Sequence, residues 1–191
     1  MGLQNVGENY VQEALSKQRD LQTSSTRCDL RWHFIGALQG NKARDVVGKF
    51  SLIHSVDRIK LAKSLNDEAR KIGFVQDVLL QVNIGEENTK SGVTPDDLLQ
   101  LAREVSLLEN LHLRGFMCLP PAFENAENVR PLFRRMRELR DEMQSETSSS
   151  ARCCPLELSM GMSGDFEIAI EEGATIVRVG RALFGAREKV V

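Results

Sequence analysis

Short apolar runs alternate along the chain with longer stretches in which apolar residues recur every three or four positions. The short runs predict strands at Gly2–Val6, Trp32–Gly36, Leu52–His54, Val75–Asn83, Leu113–Leu119, Leu156–Met160 and Ile176–Val179. Asp77–Asn83 (DVLLQVN) is apolar at nearly every position, as a strand buried on both faces should be. The longer stretches predict helices. Asp57 caps a face of Ile59, Ala62, Leu65, Ala69 and Ile72, and Gly73 stops it. Thr94-Pro95-Asp96-Asp97 supplies an N-cap, a proline at the first helical position and two acids in the first turn. Behind it Leu98, Leu101, Ala102, Val105 and Leu108 share one face. A third helix spans about 125–144 with Val129, Leu132, Met136, Leu139 and Met143 inward, and a fourth covers 165–172 and stops at Gly173. Further helices are expected after Glu8 and around Asn41–Lys49.

This β-α alternation predicts an α/β fold with a parallel sheet and helices outside it. Seven strands fall one unit short of a (β/α)8 TIM-type barrel. A doubly wound open sheet is the competing layout. The barrel is preferred because no strand is followed by a dinucleotide or phosphate-loop fingerprint. The serine-rich stretch Ser145–Cys154 reads as a solvated loop, and residues 1–191 read as a single domain.

Composition narrows the function classes. The 191 residues are 41% hydrophobic, enough for one core, and 27% charged, which excludes a disordered or fibrous chain. No apolar run approaches the length of a membrane span, and MGLQNVGENY lacks the regions of a secretory signal. With 25 basic against 27 acidic residues and 5% aromatics, nucleic acid is not an expected partner. Four irregularly spaced cysteines (Cys28, Cys118, Cys153, Cys154) fit a reducing, cytoplasmic setting rather than a disulfide framework.

Several mechanisms drop out. Gly180–Gly185 has phosphate-loop glycine spacing, but Ala186-Arg187 stands where lysine and a hydroxyl residue are needed. Gly161-Met162-Ser163-Gly164-Asp165 is not a nucleophile elbow, and the three histidines have no partner at helical spacing for a metal. What remains gathers at strand ends. The loops 159–165 and 179–185 both offer small residues, backbone N–H groups and a helix start, suited to a phosphate or to plain turns. Arg178, near the end of an apolar strand, needs an acceptor, either in an internal salt bridge or on a ligand. Gly7-Glu8-Asn9-Tyr10 places polar groups after the first strand, as a site or as a helix cap. His33 reads as a satisfied core histidine and Lys90 as a solvated loop lysine.

In this order the segments resemble the YggS/PROSC family of pyridoxal phosphate homeostasis proteins. The matching stretches are Gly7–Glu13, Trp32–Gly36 with Leu38–Lys42, His54–Asp57, Gln81–Ile84 with Lys90–Gly92, Arg114–Met117, Leu158–Phe166 and Val177–Gly180 through Gly185. The resemblance runs from residue 3 to about 187.

The resemblance implies a (β/α)8 barrel like the N-terminal domain of alanine racemase, holding pyridoxal 5′-phosphate (PLP) at the strand C-termini. It implies a carrier and buffer of the cofactor, monomeric, with PLP-dependent apoenzymes as recipients and no established catalysis. By position, Ser163 and Gly180 match phosphate contacts, Arg178 the arginine facing the pyridine nitrogen, and Asn9 a residue near the 3-hydroxyl. Arg181 stands where many members carry serine or threonine. In the family a lysine on the first barrel strand tethers PLP; here residue 1 already lies at the edge of the second strand. The chain is therefore expected to lack the first βα unit, and no lysine in it matches the tether. Covalent attachment is not expected. The alternatives are a racemase-like PLP enzyme and a non-binding remnant.

Overall fold

The computed structural model describes residues 2–23, 29–87, 89–147 and 155–185. Cys28, Cys153, Cys154 and most of the serine-rich stretch lie outside them. Seven strands, β1 (Asn5–Glu8), β2 (Arg31–Phe34), β3 (Leu52–Val56), β4 (Gln76–Val82), β5 (Leu111–Cys118), β6 (Glu157–Met162) and β7 (Ile176–Arg178), pair in chain order into one sheet. All six pairings are parallel. A doubly wound sheet would reverse its strand order midway; sequential order excludes it.

The helices are α1 (Val11–Thr23), α2 (Ala43–Val46), α3 (Ile59–Lys71), α4 (Pro95–Ser106), α5 (Arg130–Thr147), α6 (Phe166–Glu171) and α7 (Arg181–Phe184). Alternate strand residues divide the apolar side chains into two cores. Ile53, Val78, Leu80, Val82, Phe116, Leu158 and Met160 pack with helical Leu61, Leu65, Leu98, Phe133 and Met136. Leu52, Leu79, Met117 and Ile176 form a separate cluster on the opposite face. Contact among β3, β4, β5 and β7 on that face requires the sheet to curl, giving a nearly closed barrel with helices outside. Among the described residues β1 and β7 are its unpaired edges.

Three expectations shift. β1 is displaced along the chain, because Gly7 and Glu8 pair with His33 and Phe34, so Asn9 is the first residue beyond the strand. Glu8 is thus part of β1, and its carboxylate binds Lys17 of α1 at 2.6 Å. Asp57 does not cap α3: its carboxylate is taken by the adjacent Arg58 guanidinium, and Arg58 occupies the cap position without a side-chain cap bond. The helix expected over Asn41–Lys49 is a 3-10 turn, Gly40–Lys42, and the single turn α2. It ends at Val46, where Val47 turns extended (ψ 131°), and Gly48 follows at positive φ (72°). The Thr94 cap holds, with its hydroxyl accepting from the Asp97 N–H at 3.2 Å.

Candidate functional site

The C-terminal ends of β6 and β7 carry two short turns that meet. Gly161 lets β6 turn into α6: its φ is +90°, and a Cβ there would lie 2.6 Å from the Ala169 methyl. The Asp165 carboxylate then accepts from the Met162 N–H at 2.6 Å and closes the 162–165 turn. Ser163, half-buried in it, accepts through Oγ from the Ala182 N–H at 3.3 Å, which ties it to the Val179–Ala182 turn. Ser163, Gly180 and Arg181 are therefore brought together just beyond Arg178. Gly180 and Arg181 are exposed, and open space surrounds Gly180 where a side chain would stand. Asn9 lies at the same end of the barrel but just past the other edge strand, exposed, its backbone seated on Gly36. A Cβ at Gly36 would fall 2.0 Å from the Asn9 carbonyl oxygen, so only glycine allows that approach.

Arg178 is held from two sides. One terminal nitrogen donates to Ser159 Oγ at 2.7 Å and the other to the Cys118 carbonyl at 2.7 Å. Both acceptors are neutral, and no carboxylate among the described residues forms an ion pair with it. Burial pulls its pKa below the usual arginine value, yet guanidinium remains a cation at any physiological pH. The internal salt bridge considered for Arg178 does not form. A desolvated cation with spare N–H groups sits at the mouth instead.

Behind Arg178 runs a chain of hydrogen bonds that sequence reasoning missed. Ser159 Oγ lies 2.9 Å from His54 Nδ1, and His54 Nε2 lies 3.1 Å from His33 Nδ1. Burial, then the neighbouring His33 and Arg178 charges, hold the His54 pKa well below 6.5. Burial and Arg31 likewise lower that of His33, so both rings are neutral near pH 7. The arginine fixes the first link. Guanidinium only donates, so Ser159 Oγ accepts from Arg178, and its remaining hydrogen-bonding capacity faces His54 Nδ1. Between the two neutral rings a single hydrogen lies on the line from His54 Nε2 to His33 Nδ1, so one ring donates there and the other accepts. His33 is thus a satisfied internal histidine, as expected, but its partner is another histidine. The available signal was parity: His54 lies two residues from Leu52 on β3, on the face that holds the inner cluster.

The loop lysines are paired. Lys90 meets Glu87 at 2.5 Å and Lys42 meets Asp45 at 3.8 Å. Cys118 is fully buried, and desolvation raises its pKa to about 12, so it stays an inert thiol. No cluster that could hold a metal ion occurs among the described residues, and no helix there is long and apolar enough to cross a membrane.

The chain matches the model of the alanine racemase N-terminal domain over residues 1–188. It is 51% identical over 187 residues to the pyridoxal phosphate homeostasis protein of Aquifex aeolicus, covering 98% of this chain and 78% of that one. The corresponding protein of Pseudomonas aeruginosa is 47% identical over 188 residues, covering 98% and 76%. Among solved structures it is similar to PipY of Synechococcus elongatus with PLP bound. The TM-score there is 0.80 and the identity 40%, covering 94% of this chain and 80% of that one. The chain belongs to the pyridoxal phosphate homeostasis family, within the alanine racemase N-terminal fold.

Proposed function

With membership of that family as the premise, we propose that this chain binds PLP at the C-terminal mouth of its barrel and serves PLP homeostasis rather than catalysis. The observation that carries the reading is Arg178: a desolvated guanidinium without a carboxylate partner, fixed by two neutral acceptors beside the meeting turns of β6 and β7. The residues suit the cofactor's two ends. Ser163, Gly180 and Arg181 offer a hydroxyl, an unobstructed backbone and a cation for a phosphate. Arg178 presents N–H donors to a ring nitrogen, and Asn9 stands across the mouth for the 3-hydroxyl.

When bound, PLP supplies an aldehyde and an electron-accepting ring. Arg178 works against the second property, because a fixed cation keeps the ring nitrogen free of a proton. Ser159 and His54 hold that guanidinium in place, and their neutral state leaves no mobile proton beside it. Such a site favours storage and release over turnover, with PLP-dependent apoenzymes as recipients. We further propose one domain, a monomeric state and a cytoplasmic setting. We propose noncovalent binding; Lys42 and Lys90, the loop lysines at this end, lie beside Asp45 at 3.8 Å and Glu87 at 2.5 Å.

Equilibrium dialysis against PLP, read by absorbance, tests the reading with the wild type and with Arg178→Met and Ser163→Ala. Saturable binding weakened by both substitutions is expected. Equal affinity in all three proteins overturns the site. Borohydride treatment followed by peptide mapping tests attachment, and a stoichiometric adduct on a single lysine refutes noncovalent binding.

A further inference from the structure

A second feature of the same barrel end lies on the β3–β4 side, away from Arg178, Ser163 and Gly180. A cleft of about 160 Å³ opens between the loop after β2, the end of β3, and β4. Its lining includes Ser55, Gln81, Asp57, Arg58, Gln39 and Ser91. The β3–β4 register shifts between Ile53 and Val56, and Ser55 falls in that irregular step. Ser55 is 2% exposed, and its hydroxyl has no hydrogen-bond partner. A buried hydroxyl left alone is costly, so one that persists on a cleft wall is a group poised for a ligand. Gln81 is 6% exposed, and its Nε2 donates to the Ser91 carbonyl at 2.9 Å, which fixes the amide on the wall.

The cleft carries both signs of charge. The Asp57 carboxylate and the Arg58 guanidinium bind one another, and Arg58 also reaches the Leu38 carbonyl at 3.5 Å. Asp57 repels a lone anion and Arg58 repels a lone cation. A ligand bearing an ammonium and a carboxylate can engage both at once, exchanging one exposed ion pair for two. The volume is below the roughly 300–1,000 Å³ of a drug-sized pocket, so the ligand is small.

We propose that this cleft binds a free α-amino acid, its carboxylate on Arg58, its ammonium on Asp57, and a polar atom on the Ser55 hydroxyl. The inference deepens the PLP reading, since a primary amine is what a carbonyl cofactor at the same barrel mouth would meet. Binding at the cleft does not itself require PLP.

Saturation-transfer NMR and calorimetry on the PLP-free protein test it, using the twenty amino acids with the matching decarboxylated amines and deaminated acids. At least one amino acid is expected to bind, with either truncated analogue weaker by about tenfold or more. Arg58→Ala should weaken that amino acid by a similar factor. Ser55→Ala should also weaken it while leaving Tm unchanged or higher, because it deletes an unsatisfied buried group. Absence of binding by every amino acid overturns the proposal. So does equal binding of a truncated analogue, or an affinity unmoved by Arg58→Ala. PLP dialysis on the same sample separates the two readings. Amino-acid binding without PLP binding refutes the PLP site alone, and the converse refutes the cleft alone.

Discussion

Ser159→Ala isolates the link between the mouth of the barrel and its interior. The hydroxyl accepts from Arg178 at 2.7 Å and serves His54 Nδ1 at 2.9 Å, so alanine strands two buried polar groups at once. Each unsatisfied group costs about 1–3 kcal/mol, and the charged one lies toward the upper end. Arg178 keeps its bond to the Cys118 carbonyl, which limits its loss. The expected destabilisation is about 2–4 kcal/mol, a large share of the roughly 5–15 kcal/mol of a whole domain. For a chain of this size that corresponds to a Tm lower by about 4–16 °C. Urea unfolding followed by circular dichroism gives the free energy, and a double-mutant cycle with His54→Phe gives the coupling. Phenylalanine removes the second stranded group, so the double variant should be less destabilised than the sum of the singles by about 0.5 kcal/mol or more. A loss below about 0.5 kcal/mol for Ser159→Ala, or strict additivity, would refute the hydrogen-bonded chain from Arg178 to the histidines.

Both histidines have folded-state pKa values below 6.5, so between the folded and unfolded values the unfolded chain binds more protons. Stability is therefore full above about pH 6.5 and declines below it, by up to about 1.4 kcal/mol per pH unit per histidine, and His54→Phe should flatten that decline in pH-stepped urea melts. Arg178→Met should weaken PLP while changing Tm little, because relief from a desolvated cation without a carboxylate partner offsets the donor lost to the Cys118 carbonyl; a large stability loss would mark Arg178 as structural instead. Gly161→Ala forces a Cβ to 2.6 Å from the Ala169 methyl at positive φ, which should cost about 1–3 kcal/mol and weaken PLP by moving Ser163; thermal melts and dialysis check both. The Glu172 carboxylate is buried, which raises its pKa, but hydrogen bonds from Arg134 and Arg130 with the nearby Arg137 outweigh this and lower it. Glu172→Gln should reduce Tm at neutral pH, and the difference from wild type should shrink as pH falls through the lowered carboxylate range.

Much of this protein is written locally. The apolar runs of β3 through β7 and the faces of α3, α4 and α5 follow from periodicity, and Thr94-Pro95 or Gly173 set boundaries by backbone chemistry alone. The ordered motifs also place Ser163, Arg178 and Gly180 at strand ends, because in a parallel sheet every strand directs its C-terminus to the same side. Partners are a different matter. Asp57 has the spacing of a helix cap and spends its carboxylate on Arg58; β1 begins late because β2 supplies its hydrogen bonds, not because its own residues favour a strand. Whether Arg178 meets a carboxylate or a hydroxyl depends on β6 lying beside β7 and β5 one strand beyond it, and a single hydrogen bond of the His33–His54–Ser159 chain joins residues 105 positions apart. A hydrophobic pattern has a period of two or of about 3.6, and such a period fixes which way a side chain points. Only the closing curvature of the sheet decides what it finds there.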